Sequence, residues 1–274
     1  MEEEKLKITK DPDLLRAENL SKVYISRKGG KFPAVDHVSF SMSHGQTVSI
    51  VGESGSGKTT LVRMITRLTD PTEGRVYLGG KEITGLTGKN LKPVYQKMQM
   101  VFQDPQGSFD PRKTLGSGIE DVILNFGFPA GYKGDRSRRA LKAYARSRCI
   151  RLLKRLGLSE DFRTRYPGEV SGGQCQRAAI ARALAAEPKL LILDEATSAL
   201  DVTVQKEVMD LVADLRKETG VGLLMITHDI ALASQYSDWI QVMYQGKIVE
   251  EGETGEVICH PKDAYTRRLM DSVL

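Results

Sequence analysis

Short, largely apolar runs at 47–51, 190–193, 222–227 and 239–244 punctuate this chain, with Ser49 and Gln241 the polar residues in their interiors. They are too short for buried helices, and strands of a parallel sheet covered on both faces read as continuous apolar runs rather than as alternation. A helical pattern at 204–216 separates the second run from the third, so the chain from 189 onward is predicted to be α/β with parallel strands. The first half reads differently. Stretches 20–25 and 35–40 partly alternate around the turn-forming Lys28-Gly29-Gly30-Lys31, and 74–84 turns at Gly79-Gly80, which predicts antiparallel strands. A helix is predicted over 58–68, a short strand over 99–102, a mainly helical segment over 103–188, a hairpin turn at Gln245-Gly246 and a last helix from Lys262. There is no internal repeat or low-complexity stretch.

Composition narrows the class. The 274 residues are 40% hydrophobic and 27% charged, with a net charge of +5, which is ordinary for a globular protein with a sizeable core and excludes disordered, collagenous and disulfide-stapled chains. No apolar run approaches the ~18–20 residues of a membrane-spanning helix, and Met1-Glu2-Glu3-Glu4-Lys5 lacks the apolar stretch of a signal peptide. Cys149, Cys175 and Cys259 lie far apart without a Cys-x-x-Cys pair, as expected of reduced thiols in a cytosolic protein. The Arg- and Lys-rich segment 133–155 reads as a solvated helical face, with anionic lipid as the alternative; the modest net charge gives no expectation of nucleic-acid binding.

Three motifs carry chemistry. Gly52-Glu53-Ser54-Gly55-Ser56-Gly57-Lys58-Thr59, followed by Thr60, fits the P-loop pattern between a predicted strand and a predicted helix. Its glycines let backbone N–H groups wrap a β-phosphate, Lys58 reaches β- and γ-phosphates, and the Thr59 hydroxyl suits Mg²⁺. The run 190–193 ends in Asp194-Glu195, which puts Asp194 at the carboxyl edge of the sheet as a Mg²⁺ partner and Glu195 where it can polarise an attacking water. Taken alone, such a pair also fits a solvated loop start. Ser171-Gly172-Gly173-Gln174 precedes a helix predicted from Cys175 to about Ala186, so Ser171 is an N-cap candidate whose loop exposes N–H groups. A plain solvated cap explains these four residues equally well.

In this order the motifs resemble the nucleotide-binding subunits of ABC transporters, and the resemblance runs nearly the whole length. It adds an A-loop aromatic at Tyr24, a Q-loop at Val101-Phe102-Gln103-Asp104-Pro105, a D-loop at Ser198-Ala199-Leu200-Asp201 and a switch histidine at His228. The resemblance implies a P-loop NTPase (RecA-like) core with an antiparallel β subdomain, together covering 1–102 and 189–274, and an inserted helical subdomain at 103–188. It implies that Tyr24 stacks on adenine, that Gln103 senses Mg²⁺ and the lytic water, and that His228 contacts the γ-phosphate and holds Glu195. It also implies that the signature Ser171 to Gln174, with Asp201, completes the site of an opposing protomer. Tyr24 read as an ordinary strand residue would instead be a core tyrosine. Val170 and Ala196 stand where the family commonly has Leu and Pro; neither change removes a functional group.

Phe102-Gln103-Asp104-Pro105 through Arg112, and the ending from His260 to Met270, resemble the importer branch for oligopeptides, dipeptides and nickel, with Ala264 where Pro is usual. The implied partners are a second ATPase subunit, self or paralogue, in a head-to-tail dimer, two integral membrane permeases and an extracytoplasmic substrate-binding protein. The implied cofactors are ATP and Mg²⁺, and the implied location is the cytoplasmic face of the membrane, held peripherally. The rival is an ABC ATPase of a soluble assembly, such as a phosphonate carbon–phosphorus lyase accessory subunit. A P-loop small-molecule kinase would leave Ser171 to Gln174, Asp201 and His228 unexplained.

Overall fold

A computed structural model of the chain describes residues 13–26, 29–198 and 200–271. Part of the predicted turn at Lys28, the segment Met1 to Lys5, and Ala199 of the D-loop lie outside the described residues. The fold is α/β, with two sheets and helices around them. An antiparallel sheet of four strands has the order β2-β1-β4-β5, from β1 (Leu15–Ile25), β2 (Lys31–Met42), β4 (Glu73–Leu78) and β5 (Lys81–Glu82). The second sheet has six strands in the order β10-β9-β3-β8-β7-β6: β3 (Thr47–Val51), β6 (Met98–Val101), β7 (Leu190–Asp194), β8 (Gly222–Thr227), β9 (Trp239–Tyr244) and β10 (Lys247–Glu253). All its pairs are parallel except the edge hairpin β9–β10.

The apolar runs are continuous because both faces of this sheet are covered. On β7, Leu190 and Ile192 join the cluster under the antiparallel sheet and α1 (Lys58–Ile65), whereas Leu191 and Leu193 face the helices. On β8, Leu224 and Ile226 take the first side, and Leu223 and Met225 the second. The helical side holds α3 (Leu115–Phe126), α4 (Arg138–Arg155), α5 (Gly172–Leu184) and α6 (Val202–Thr219), whose buried residues form one continuous apolar cluster with that face. Along α4, Ala145, Cys149, Leu152 and Leu153 point inward while Arg138, Arg139, Lys142, Arg146 and Lys154 are exposed, the pattern of a solvated basic face.

Several boundaries differ from expectation, each for a local reason. The predicted helix at 58–68 ends at Ile65, because Arg67 takes a left-handed backbone (φ 59°) and buries its guanidinium against Asp70 at 2.7 Å. The helix expected from Cys175 starts three residues earlier: Ser171 and Gln174 form a reciprocal capping box that carries Gly172 and Gly173 into the first turn. The last helix, α9 (Ala264–Asp271), starts two residues late, since the Lys262 and Asp263 amides donate instead to the Glu250 carboxylate. Short helices α2 (Lys92–Lys97), α7 (Ile230–Tyr236) and α8 (Thr254–Cys259) had no individual signal.

Because Leu193 lies 3% exposed between the sheet and the helical cluster, Leu193→Ala is expected to lower unfolding stability by about 2–5 kcal/mol. Urea unfolding checks this, and a loss under about 1 kcal/mol would contradict the packing described.

Candidate nucleotide site

Strand order assembles the site. β3, β8 and β7 are parallel neighbours, with Val51 opposite Thr227 and Ile226 opposite Asp194. The P-loop, His228 and Asp194-Glu195 therefore leave the sheet side by side at one carboxyl edge, and β6, with Val101 opposite Leu193, delivers Gln103 to the same edge. Such an edge is where open α/β sheets present ligand sites.

The P-loop backbone is tightly braced. Gly52 (φ 155°) lies so close to β9 that a Cβ would sit 2.2 Å from the Met243 carbonyl oxygen, and at Gly57 (φ 109°) it would sit 2.4 Å from that of Ala34. At Gly55 (φ 82°) a Cβ would meet nothing within 4 Å, so there the demand is conformational. The Glu53 amide donates to the Tyr265 hydroxyl at 3.1 Å, and the Gly246 amide to the Ser56 carbonyl at 2.9 Å. Tyr265 in turn stacks on Tyr244, with ring centroids 4.1 Å apart. These supports from Ala34, Met243, Gly246 and Tyr265 were not assigned to the loop from sequence; all lie far from it along the chain.

Lys58 opens α1 at only 4% exposure, its Nζ donating to the carbonyls of Gly52 (2.7 Å) and Glu53 (2.9 Å). Burial lowers its pKa, opposed by the negative charges of Glu195, Asp194 and Glu53. Asp194 is 7% exposed, and its carboxyl is pushed up to about 6, chiefly by burial and then by Glu195, against the pull of Arg63 and Lys58. Two buried polar atoms in this neighbourhood, Asp194 Oδ1 and Ser56 Oγ, have no hydrogen-bond partner within the protein. Ser54 and Thr59 are exposed and Thr60 is half-buried.

Glu195 adopts a left-handed backbone (φ 47°), pinned by its amide on the Ile226 carbonyl at 2.9 Å and by the Ser198 hydroxyl on its own carbonyl, also 2.9 Å. Its carboxylate lies 3.9 Å from His228 Nδ1, and the Gln103 side chain reaches Ser198 Oγ at 3.5 Å. Asp201 caps α6 through Val204 N at 3.0 Å. Asp229 caps α7 and accepts from Gln205 of α6 at 3.0 Å, so the segments after Glu195 and around His228 are joined.

The other two predicted site elements are Tyr24 and the signature segment Ser171 to Gln174. Tyr24, 41% exposed at the end of β1 beside exposed Phe32, is not the core tyrosine of the alternative reading. The Ser171 and Gln174 side chains bond to each other's backbone. The cavity beside them, of about 360 Å³, is walled by residues such as Gly157, Phe162, Arg177 and Val204, none from the P-loop. Gly173 must remain small, since a Cβ would lie 2.6 Å from Val204 Cγ1.

The raised Asp194 pKa has a signed consequence. The folded chain binds this proton more tightly than the unfolded chain, so charging the buried carboxyl costs stability as pH climbs from about 4 through 6. Without added nucleotide or metal, Asp194→Asn is expected to stabilise the fold at pH 7.5 by on the order of 2–3 kcal/mol. That gain should disappear near pH 4; urea unfolding at both pH values checks it, and a loss at pH 7.5 would contradict the assignment.

Comparison with known proteins agrees with this geometry. The profile of the family described as ABC transporter matches residues 35–198. A probable peptide ABC transporter ATP-binding protein, y4tS, of Sinorhizobium fredii is 43% identical over 263 residues, covering 94% of this chain and 71% of that one. The oligopeptide transport ATP-binding protein OppF of Streptococcus mutans is 40% identical, covering 95% and 81%. The glutathione import ATP-binding protein GsiA of Salmonella paratyphi A is 42% identical across 88% of this chain, which spans 37% of that longer protein. Among solved structures, the ATP-binding cassette MJ0796, a dimer in a post-hydrolysis state bound to ADP and Pi, aligns with a TM-score of 0.76 at 31% identity, covering 88% of this chain and 98% of that one. CbiO1 of Clostridium perfringens, part of the transporter complex cbiONQ, aligns at 0.76 with 29% identity, covering 92% of each. A P-loop braced by β9, an acid pair beside it and these matches together place the chain in the ABC transporter family, as an ATP-hydrolysing, ATP-binding subunit.

Proposed function

We propose that this chain powers an importer of peptides or peptide-like solutes, bound peripherally at the cytoplasmic face of a membrane to two permeases that an extracytoplasmic binding protein supplies. The observation that carries the reading is the order β3, β8, β7, β6 at the sheet's carboxyl edge, which gathers Lys58, His228, Asp194, Glu195 and Gln103. Among the described residues no helix is long and apolar enough to cross a membrane, so permeases would be separate chains or domains. The named relatives handle peptides, oligopeptides and glutathione, which favours that solute class over nickel.

In this reading Gly52 to Thr60 bind the triphosphate of ATP through backbone N–H groups and Lys58, and Tyr24 stacks on adenine. Thr59, Gln103 and Asp194 would hold Mg²⁺, to which the unpartnered Asp194 Oδ1 is suited; the ion neutralises charge on the phosphate oxygens. Glu195 accepts a proton from the attacking water, and His228, 3.9 Å away, holds that carboxylate and meets the γ-phosphate. Ser171 to Gln174 begin an α-helix whose N-terminus favours anions, and their cavity shares no wall with the P-loop. They therefore serve the nucleotide of an opposing ATPase subunit, a second copy or a paralogue, with Asp201 near that junction.

Glu195→Gln is expected to cut ATP turnover by about 10²–10⁴-fold while ATP affinity stays within about threefold, because the phosphate-binding loop is untouched. Turnover at the parent rate would remove Glu195 from its role. Ser171→Arg puts bulk and charge at the start of α5 and should abolish turnover while leaving ATP binding to Lys58's loop intact; normal activity would count against a site shared between subunits.

A further inference from the structure

Helix α5 buries one polar side chain for which the fold supplies no partner. Gln176 is 0% exposed, and neither its amide nitrogen nor its carbonyl oxygen meets a hydrogen-bonding group of the protein. A buried amide without partners lowers stability, a cost that a methionine of similar shape would not carry. Gln176 lines a cavity of about 200 Å³ whose other walls include Gln103, Asp104 and Gln106 of the Q-loop, Gly172 of the signature, Ala196 next to Glu195, and Leu200 of the D-loop. The space is polar on the Q-loop side, and the Gln176 amide lies in its wall with no accessible surface of its own.

Helix α5 and the segment just ahead of it already hold the same loop. The Arg182 guanidinium donates to the Ser108 carbonyl and hydroxyl, at 2.5 and 2.9 Å, and lies 4.1 Å over the Phe109 ring. At the other end, Gln106 Nε2 reaches the carbonyls of Pro167 and Val170, just ahead of the signature, at 3.5 Å. The Gln176 amide thus stands where the loop carrying Gln103, the signature turn and the turn after Glu195 meet.

We infer that Gln176 is a positioning residue for ATP hydrolysis, whose fully covered amide ties the Gln103 loop and the Glu195–Ala196 turn to the signature helix by direct hydrogen bonds made in the ATP-bound arrangement of those segments. The inference rests on the ATPase reading above. Its action is on alignment: a displacement of the order of 1 Å at reacting groups is enough to lower turnover steeply.

The test compares the full chain, purified with its bound partners, with its Gln176→Met variant, which keeps volume and removes the amide. The expected result is a kcat at least about tenfold lower, a KM for ATP within about twofold of the parent, and an unchanged or higher melting temperature. A purely structural role predicts parental kcat, and a kcat within twofold of an active parent overturns the inference. Adding Gln176→Met to Gln103→Ala should reduce turnover by less than about twofold further, since both act on one loop; independent multiplication of the two losses also overturns it. Gln176→Asn, which keeps an amide one methylene shorter, should give an intermediate kcat even if the Met variant does not fold, and parental or Met-like activity in a folded Asn variant counts against the inference. A parent that does not turn over ATP overturns the ATPase reading itself, whereas an active parent with an active Met variant overturns the inference alone.

Discussion

A dehydrated ammonium beside two carboxylates is the interaction on which this site depends. Lys58 is buried against its own loop's carbonyls; burial pulls its proton affinity down, while Glu195, Asp194 and Glu53 hold it up. The same burial drives Asp194 up to about 6, and Glu195 adds to it. Opposed charges in such a setting interact far more strongly than in water, yet at Asp194 the cost of burial outweighs the pull of Lys58 and Arg63. A ligand carrying several phosphate oxygens together with a divalent cation complements both signs at once.

That cluster can exist because the sheet beneath it is rigid and dry. Leu190 to Leu193 and Leu223 to Ile226 are covered on both faces, so strands β7 and β8 have little freedom to slide, and their last residues are fixed relative to Val51. Around this edge, contacts from distant parts of the chain prevent the P-loop from relaxing. The Met243 and Ala34 carbonyls crowd Gly52 and Gly57, Tyr265 takes the Glu53 amide, and Gly246 takes the Ser56 carbonyl. At the same edge the left-handed backbone of Glu195, pinned by Ile226 and Ser198, is a strained conformation that persists because its surroundings over-determine it.

Much of this was legible in the amino-acid order. Fully buried parallel strands leave unbroken apolar runs, and the P-loop needs its glycines, lysine and threonine in a fixed register, so β3, β7, β8 and the loop after Val51 announce themselves locally. Strand order does not. That β8 lies between β3 and β7 is a long-range pairing, and it alone carries His228 to within 3.9 Å of Glu195. The two glycines after Ser171 read as a loop, yet a reciprocal cap outweighs their low helix propensity. Tyr265 stood out only as part of a family-like ending, because a hydrogen bond to an amide 212 residues away leaves no periodic trace. Gln176 was equally silent, as its burial depends on how the Q-loop folds over α5.

Importer ATPases and ATPases of soluble assemblies share the machinery at this edge, so the partners decide the biological role. The most direct measurement is to purify the tagged chain from membranes in mild detergent and identify the proteins bound to it by mass spectrometry. The account predicts two hydrophobic permeases together with a second ATPase subunit, or a second copy of this chain. Recovery with a soluble multi-subunit enzyme and no permease would contradict it.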